Sequence, residues 1–475
     1  MRLIIVLLGS IAIAPKLSAQ YSLQQCIEIA LESNLDIRLS QLNITQAQIA
    51  EDQSRMQLSP TLNGNFGQFY QSGRSIDRFT NQFVQSTVGN TSLQIQGGWT
   101  LFSGGRIMNG LKQSKMNTDA AKLDHLQNQQ SVVLNVALAY LSCLQTKEQV
   151  KAAELNAATL LQDLKRVEKT FALGAANEGT VFAAKAQWSA AQANLSQVRN
   201  QHLNALLMLK NMLLIPREES FDIQAINETT PETLTYPISA QEMIDTALSR
   251  RPDYKASQLK VQSAQLGIKI AKGAYSPTLS IGGNLSSVYS DNAKSITGYN
   301  VTGTQPIGFV QGTNEIVEAP TFEYTATTID FSKQLKDNFG QSFGATLSVP
   351  IYNQFQNRND ISRSKVALIQ SEINAERIKQ TIINDVMNAM QSFENASSQF
   401  QAMRENYESQ KKNLDFVQIR FNNGQASYYE LQLAKNNEVA AEQNYISSKY
   451  ECILRKMILD YMFTNDYRIL TEKAN

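Results

Sequence analysis

The chain has 475 residues, with 43 Lys or Arg, 42 Asp or Glu and only two His, so its net charge is close to zero. This balance leaves no basic surplus for binding nucleic acid. The two histidines lie far apart, and no HExxH, GxSxG or phosphate-loop motif occurs. The sequence therefore argues against an enzyme, and we predict no catalytic residue, cofactor site or metal site.

The first 19 residues have the organisation of a secretory signal peptide. Arg2 is followed by an apolar run at 3–14 and by small residues up to Ala19, which predicts cleavage after Ala19. The run is too short to span a bilayer as an anchor. The segment LSAQ resembles a lipoprotein cleavage box, but Gln20 stands where the lipidated cysteine would be. No lipid anchor is therefore expected.

The chain contains a tandem duplication. SLQQCIEIAL at 22–31 aligns with SAQEMIDTAL at 239–248, and SPTL at 59–62 recurs at 276–279, both at an offset of 217. TFALGAANEGTVFAAK, which starts at Thr170, matches RFNNGQASYYELQLAK, which starts at Arg420, at an offset of 250. The difference between 250 and 217 predicts 33 inserted residues in repeat two.

Each repeat is predicted to contain the same parts in the same order: a helix, two strands with a loop, a long helix, a tip turn and a second helix. Repeat one covers 20–216 and repeat two covers 239–463, with a linker at 217–238 and a tail at 464–475. The tip turns lie near 171–179 and 421–429. Repeat two carries a longer extracellular hairpin at 279–350.

Local signals place the helix ends. Ser22 with Gln25 and Ser239 with Glu242 have capping-box spacing. The first helix of each repeat should run about 35 residues, with an interruption only in repeat two, where Pro252 breaks or kinks it. The long helices end at the two tips, and each should be roughly 100 Å long.

Two segments, SLQIQGGWTLF at 92–102 and FGQSFGATLSVP at 339–350, alternate apolar and small or polar residues. Strands of about ten residues with this alternation are typical of outer-membrane barrels. Four strands per chain cannot close a barrel, and open strand edges are unstable in lipid. Several chains must therefore share one barrel, and the strand count allows two, three or four. A structural periplasmic or surface coiled-coil protein without a pore is the alternative function.

The tandem repeat, the ALSRRPDY and SPTL segments and the two F-x-x-G tips resemble the TolC-like outer membrane efflux proteins over nearly the whole mature chain. The resemblance implies a mainly α fold with a transmembrane β part. In this fold a homotrimer forms a twelve-stranded outer-membrane β-barrel that continues as a long periplasmic α-helical barrel. The location implied is the bacterial outer membrane, in contact with its lipid and extending into the periplasm.

The resemblance also implies a function and partners. The chain would be the exit duct of a tripartite efflux or type I secretion system. It would receive substrates from an inner-membrane pump of the RND or ABC type through a periplasmic adaptor (membrane fusion) protein. Drugs, metal ions and secreted polypeptides all remain open as cargo.

The two tips carry the candidate docking residues. Gly174 and Gly424 fit helix C′ positions, and the turns alone would make a tight αα-hairpin. The resemblance implies that the tips also dock the adaptor and close the periplasmic mouth. The docking candidates are Phe171, Gly174, Ala175, Phe421, Gly424 and Gln425.

The periplasmic gate candidates are Glu430, Thr180 and Arg420. Glu430 matches an acid that lines the constriction in some TolC-like proteins. A second lining acid falls on Leu433 and the basic gate position falls on Ala426, so this chain departs from the family's salt-bridge latch.

Overall fold

A computed structural model describes residues 20–76, 83–224 and 238–464. The predicted signal peptide, most of the predicted linker and the tail beyond 464 lie outside the described residues. Within the described ranges, no helix is both long enough and apolar enough to cross a membrane.

The described elements run in chain order from a short strand at Gln20–Tyr21 to a long helix that ends at Thr464. They are β1 (Gln20–Tyr21), α1 (Leu23–Ser33), α2 (Leu35–Met56), β2 (Thr61–Ile76), β3 (Phe83–Ser103), α3 (Arg106–Ala172), α4 (Glu178–Met212), β4 (Asp222–Ile223), α5 (Ala240–Arg250), α6 (Pro252–Gly273), β5 (Thr278–Ser290), β6 (Lys294–Phe309), β7 (Ile316–Thr328), α7 (Phe331–Asp337), β8 (Gly340–Ser348), α8 (Gln356–Asn422) and α9 (Tyr428–Thr464).

The element bounds repeat at the two offsets found in the sequence. α1 and α2 begin at Leu23 and Leu35, and α5 and α6 begin 217 residues later at Ala240 and Pro252. The long helices α3 and α8 have 67 residues each, and their starts differ by 250. The predicted tandem duplication is therefore confirmed.

The prediction that repeat one begins with an unbroken helix is wrong. α1 and α2 are separated by Asn34, which has an extended backbone. The side-chain Oδ1 of Asn34 accepts hydrogen bonds from the backbone N–H groups of Asp36 (2.9 Å) and Ile37 (3.3 Å). Asn34 therefore caps α2. Arg251 holds the equivalent place in repeat two, before Pro252 at the first position of α6.

The chain divides into two compact units. The helical unit contains the residues up to Gln48, Lys115–Ser263 and the residues from Leu368 onward. The sheet unit contains Ile49–Ser114 and Ala264–Ala367.

Buried residues on several helices form the core of the helical unit. One cluster surrounds Tyr140, which is fully buried and whose hydroxyl lies 3.0 Å and 2.8 Å from the carbonyl oxygens of Tyr21 and Gln224. A second cluster in repeat two is built around Phe393 and Phe400. The three cysteines are free and buried.

The sheet unit contains an antiparallel four-stranded sheet with the order β2-β3-β5-β8. β2 and β3 have 16 and 21 residues, so the prediction of about ten residues is wrong for repeat one. The β2–β3 ladder continues without a register shift from Thr61↔Gly98 to Ile76↔Phe83, so the two strands stay paired well beyond ten residues.

The segment 279–350 is not the single long hairpin that the sequence predicts. β6 and β7 lie between β5 and β8 and form a separate two-stranded sheet, and the short helix α7 follows them. In the described residues of repeat one, 61–76 and 83–103 form only the hairpin of β2 and β3, which are neighbours in both sequence and sheet.

Candidate functional site

Both long helices end in the same hydrogen-bonded turn. The φ angle of Gly174 is 75° and that of Gly424 is 72°. After α3, the N–H of Gly174 donates to the carbonyl of Phe171 (2.8 Å), and the N–H of Ala175 donates to that of Thr170 (3.0 Å). These two bonds define a Schellman motif, which satisfies the last carbonyls of the helix.

The turn after α8 repeats this pattern. The N–H of Gly424 donates to the carbonyl of Phe421 (3.0 Å), and the N–H of Gln425 donates to that of Arg420 (2.8 Å). A side chain at the position of Gly424 would be strained in the left-handed conformation. The glycines are therefore explained by the backbone of the turn.

The next helix is capped at each tip. Oδ1 of Asn177 accepts hydrogen bonds from the backbone N–H and the hydroxyl of Thr180, both at 2.9 Å. In repeat two, Ser427 and Glu430 form a capping box, in which each backbone N–H donates to the other's side chain at 3.2 Å. Each turn is thus fixed by hydrogen bonds at both ends.

The two tips differ in how far their aromatic residue is exposed. Phe171 is 44% exposed, and Ala175 beside it is also exposed. Phe421 is half-buried against a cluster that includes Leu431, and its ring centroid lies 6.3 Å from that of Tyr428. Repeat one therefore presents an aromatic ring at its tip, whereas repeat two packs its ring between helices.

The structure brings two of the three gate candidates together. Arg420 and Glu430 approach within 4.0 Å, at the limit of an ion pair, and their side chains are 38% and 50% exposed. Nη2 of Arg420 also donates to the carbonyl of Gln425 at 2.9 Å. Thr180 lies at the other tip, in the cap of Asn177. All three side chains bond within their own turns.

A buried ion cluster near the tips is absent from the sequence prediction. Nζ of Lys435 on α9 pairs with the Asp163 carboxylate on α3, and Arg166 lies 3.2 Å from the same carboxylate. The side chains of Lys435 and Asp163 are only 14% and 12% exposed. The offset of 250 that relates the tips pairs Lys435 with Lys185 but Asp163 with Asn413. At the same offset Arg166 corresponds to Phe416, so only the lysine of the cluster is repeated.

A second group of polar residues lies between α8 and α9. Burial raises the pKa of Glu438 and Glu442, and the charge of Glu442 raises the pKa of Glu438 further. Lys411 on α8 opposes both shifts, while Asp415 adds to that of Glu438. Burial and these two carboxylates also raise the pKa of Tyr407.

The four-stranded sheet has one apolar and one polar face. Adjacent strands pair Gly64 with Ile95, Ile95 with Leu285, and Gly283 with Phe343 on one side. The exposed apolar residues on that side include Leu62 (77%) and Phe343 (89%). A sheet face of this kind is typical of strands that contact lipid.

The opposite face carries amides and hydroxyls. Gln96 pairs with Asn284, which pairs with Ser342, and Nε2 of Gln94 donates to Oδ1 of Asn284 at 2.8 Å. This face borders a concave space of about 940 Å³ lined mainly by polar side chains and glycines. A polar face opposite an apolar one is the arrangement of a barrel with a wet interior.

The family model for "Outer membrane efflux protein" matches residues 26–213 and 243–453. The chain belongs to the outer membrane efflux protein family. The two matched segments correspond to the two repeats: the first ends one residue after α4 and the second ends within α9. The family is named for the outer membrane and for efflux, in agreement with the two-faced sheet.

Individual outer membrane efflux proteins are distant in sequence and close in fold. The chain is 22% identical over 432 residues to the "Probable outer membrane lipoprotein SilC" of Salmonella typhimurium, covering 89% of this chain and 81% of that protein. A crystal structure of CusC superposes with a TM-score of 0.73 at 18% identity, covering 93% of this chain and 91% of that one. The CmeC outer membrane channel of Campylobacter jejuni gives 0.71 at 17% identity, covering 95% and 89%. The predicted fold class is confirmed.

Proposed function

We propose that three copies of this chain form an exit duct through the outer membrane. One observation carries the proposal: the four-stranded sheet has an apolar face, a polar face and two strands, β2 and β8, at its edges. An open edge is unstable in lipid, so each edge needs a partner strand from another copy. Three copies of four strands give a twelve-stranded barrel, in which the polar faces line the pore.

The helical hairpins are proposed to meet the other parts of a tripartite system. Both tips expose a glycine in a rigid Schellman turn followed by a small or polar residue, Ala175 in one case and Gln425 in the other. A rigid turn loses little conformational entropy when a partner binds. We assign these tips to a periplasmic adaptor, through which an inner-membrane pump of the RND or ABC type delivers cargo.

The proposed gate is a ring of Glu430 side chains. Threefold symmetry would repeat this half-exposed carboxylate three times. Its neighbour Arg420 is bonded to its own turn, and we propose that it orients Glu430 within each copy. This role differs from a latch that joins two copies.

The mature protein is proposed to carry no lipid, although SilC is named as a lipoprotein. Gln20 pairs with Asp222 as part of a short parallel sheet. Its Nε2 also donates to Oδ2 of Asp222 at 3.1 Å. A cysteine thiol, which a lipoprotein needs for acylation, is absent from this position.

The proposed duct is tested by two measurements, the mass of the detergent-extracted protein and its conductance in planar bilayers. Protein extracted from outer membranes with detergent should have the mass of three chains by light scattering, and it should form discrete channels in planar bilayers. A chain that stays in the water-soluble fraction, has no conductance and lacks a trimeric mass would contradict the proposal. That result would favour the pore-free coiled-coil alternative.

A further inference from the structure

The inserted hairpin β6–β7 is amphipathic. Cross-strand partners Tyr299↔Tyr324, Val301↔Phe322 and Phe309↔Ile316 lie on one face. Apart from Val317, the alternate partners on the other face are small or polar, such as Asn300↔Glu323 and Gly303↔Thr321. We call the first set, with Ile296, the hairpin's apolar face: Ile296, Tyr299, Val301, Phe309, Ile316, Phe322 and Tyr324. Thr304, Pro306, Glu318 and Pro320 lie on the same side and separate the pair Phe309–Ile316 from the other five residues.

Three regularly spaced bulges interrupt β6. The register shifts leave Thr297, Thr302 and Ile307 without a partner on β7, at intervals of five residues, and a glycine follows each. Because a bulge adds one residue to its strand, the first bulge returns Tyr299 to the face of Ile296 and the third returns Phe309 to it, whereas the second places Thr304 there. The hydroxyls of Thr297 and Thr302 donate to carbonyls of β7 at 3.2 Å and 3.3 Å. The bulges are thus fixed parts of the hairpin.

The base of the hairpin is held firmly. The N–H of Ile329 donates to the carbonyl of Ala293 at 3.1 Å. The Gln334 side chain on α7, 2% exposed, accepts from the N–H of Ser290 (3.0 Å) and donates to the carbonyls of Ser290 (3.0 Å) and Ile329 (2.8 Å). These bonds fix the direction in which the hairpin leaves β5.

The hairpin's apolar face is uncovered in a single chain. Its seven side chains are between 42% and 67% exposed, and the rings of Tyr299 and Phe322 touch edge to face at 5.4 Å. A two-stranded hairpin alone is marginally stable in water, and contiguous apolar patches are usually binding surfaces. This face therefore needs a partner surface.

We propose that the hairpin's apolar face packs against the same hairpins of the neighbouring copies in the trimer. The topology supports this occupant. The hairpin is inserted directly between β5 and β8, and β8 is the edge strand whose partner must come from another copy. The base of the hairpin therefore follows β5, which is the strand next to the edge strand β8, where two copies would meet. The inference rests on the proposed trimeric duct and adds a contact outside the barrel ladder.

Two cysteine variants on neighbouring residues test the contact. Phe322→Cys places a thiol on the hairpin's apolar face, and the control Glu323→Cys places one on the polar face of the same strand. The native cysteines are all buried, so the background is low. The probes are a membrane-impermeant maleimide and a short bis-maleimide, applied to detergent-purified trimers and to trimers dissociated by heat.

In the intact trimer, the maleimide should label Phe322→Cys roughly tenfold more slowly than Glu323→Cys. This ratio corresponds to a free-energy difference of about 1.4 kcal/mol in the exposure of the thiol. Dissociation should remove the difference. The bis-maleimide should link two copies through Phe322→Cys but not through Glu323→Cys.

Three results would overturn the contact. One is equal labelling of both variants in an intact trimer. Another is protection of Phe322→Cys that persists after dissociation. The third is quenching of a fluorophore on Phe322→Cys by spin-labelled lipid, which would assign the face to the membrane. None of these three results contradicts the proposed trimeric duct. A wild-type protein without trimeric mass would overturn the duct itself.

Discussion

Lys435 of α9 and Asp163 of α3 form an ion pair that is largely withdrawn from water, although 272 positions separate them in sequence. Arg166 completes the cluster at 3.2 Å from the same carboxylate. The duplicated positions are Lys185 and Asn413, which keep the lysine and lose the carboxylate. The two hairpins therefore share a backbone design but differ in the contacts that hold them.

We expect Lys435→Met to destabilise the packing of α9 on α3. Removing one partner of a buried ion pair typically costs about 3–5 kcal/mol. The loss here should fall at or below the lower end, because Arg166 still compensates Asp163. Hydrogen exchange of the tip amides and the thermal midpoint of the purified protein measure it. The control is Lys185→Met, whose side chain is exposed. Equal effects of the two variants would show that the pair contributes nothing specific.

Local signals in the sequence predicted much of the fold. Ser22 and Gln25 form the expected capping box, and the tip glycines 174 and 424 have the expected left-handed backbone. In contrast, the second pair forms half of its box in the described chain: the Ser239 hydroxyl accepts from the N–H of Glu242 at 3.3 Å. Capping residues and glycines could be predicted because their partners lie within a few residues of them.

The remaining features depend on distant partners or on choices between similar local structures. Asn34 ends α1 without a proline. In the sequence, nothing distinguishes this capping asparagine from an asparagine inside a helix, because its bond to Asp36 forms only in the folded turn. Asp163 and Lys435 meet only after the two repeats fold together. The bulges at Thr297 and Thr302 disturb the simple alternation by which strands are recognised.

Substitutions at Gly424 should separate turn geometry from docking. Space around its Cα is open, so an added Cβ meets no atom within 4 Å. Gly424→Asn should fold and export normally, because asparagine accepts the left-handed conformation. Gly424→Arg should leave trimers in the membrane and abolish export, since it puts a long charged side chain on the docking surface. The same pair at Gly174 tests the other tip. Normal export by both arginine variants would show that the tips do not dock the adaptor.

Replacing Glu430 by Gln should reduce cation selectivity and block by trivalent cations in planar bilayers. Three carboxylates around one opening attract cations, whereas the amide keeps an acceptor for the capping box with Ser427. The control Ser427→Ala removes the cap at a typical cost of about 1 kcal/mol and keeps the charge. If Glu430→Gln conducts like the wild type while the trimer is intact, Glu430 is only a helix cap.

The mature wild-type chain should have an intact mass that starts at Gln20 and includes no acyl group. The converse variant, Gln20→Cys, completes the cleavage box of a lipoprotein and should gain a diacylglyceryl group. It would also lose the hydrogen bond from Nε2 of Gln20 to Asp222. An acyl adduct on the wild-type protein would contradict the proposal of an unlipidated duct.

The carboxylates Glu438 and Glu442 should make the hairpin of α8 and α9 more stable in mild acid. Their folded-state pKa values are raised above 4.5, first by burial and, for Glu438, next by the charge of Glu442. A folded state with a raised carboxyl pKa binds more protons than the unfolded state, so stability falls as pH rises. The fall begins near the unfolded pKa and is complete above the raised folded pKa.

The double variant Glu438→Gln, Glu442→Gln should therefore flatten this dependence and be more stable than the wild type at neutral pH. Thermal midpoints and hydrogen exchange of α8 and α9 between pH 4 and pH 8, a range set by the ordinary carboxyl pKa, measure both effects. Glu408→Gln is the control, because that side chain is 59% exposed on the same hairpin. Lys411 faces both carboxylates and opposes their shifts, so Lys411→Met should steepen the dependence. A wild-type hairpin whose stability rises with pH over this range would show that the two carboxylates are better solvated than their burial between the helices indicates.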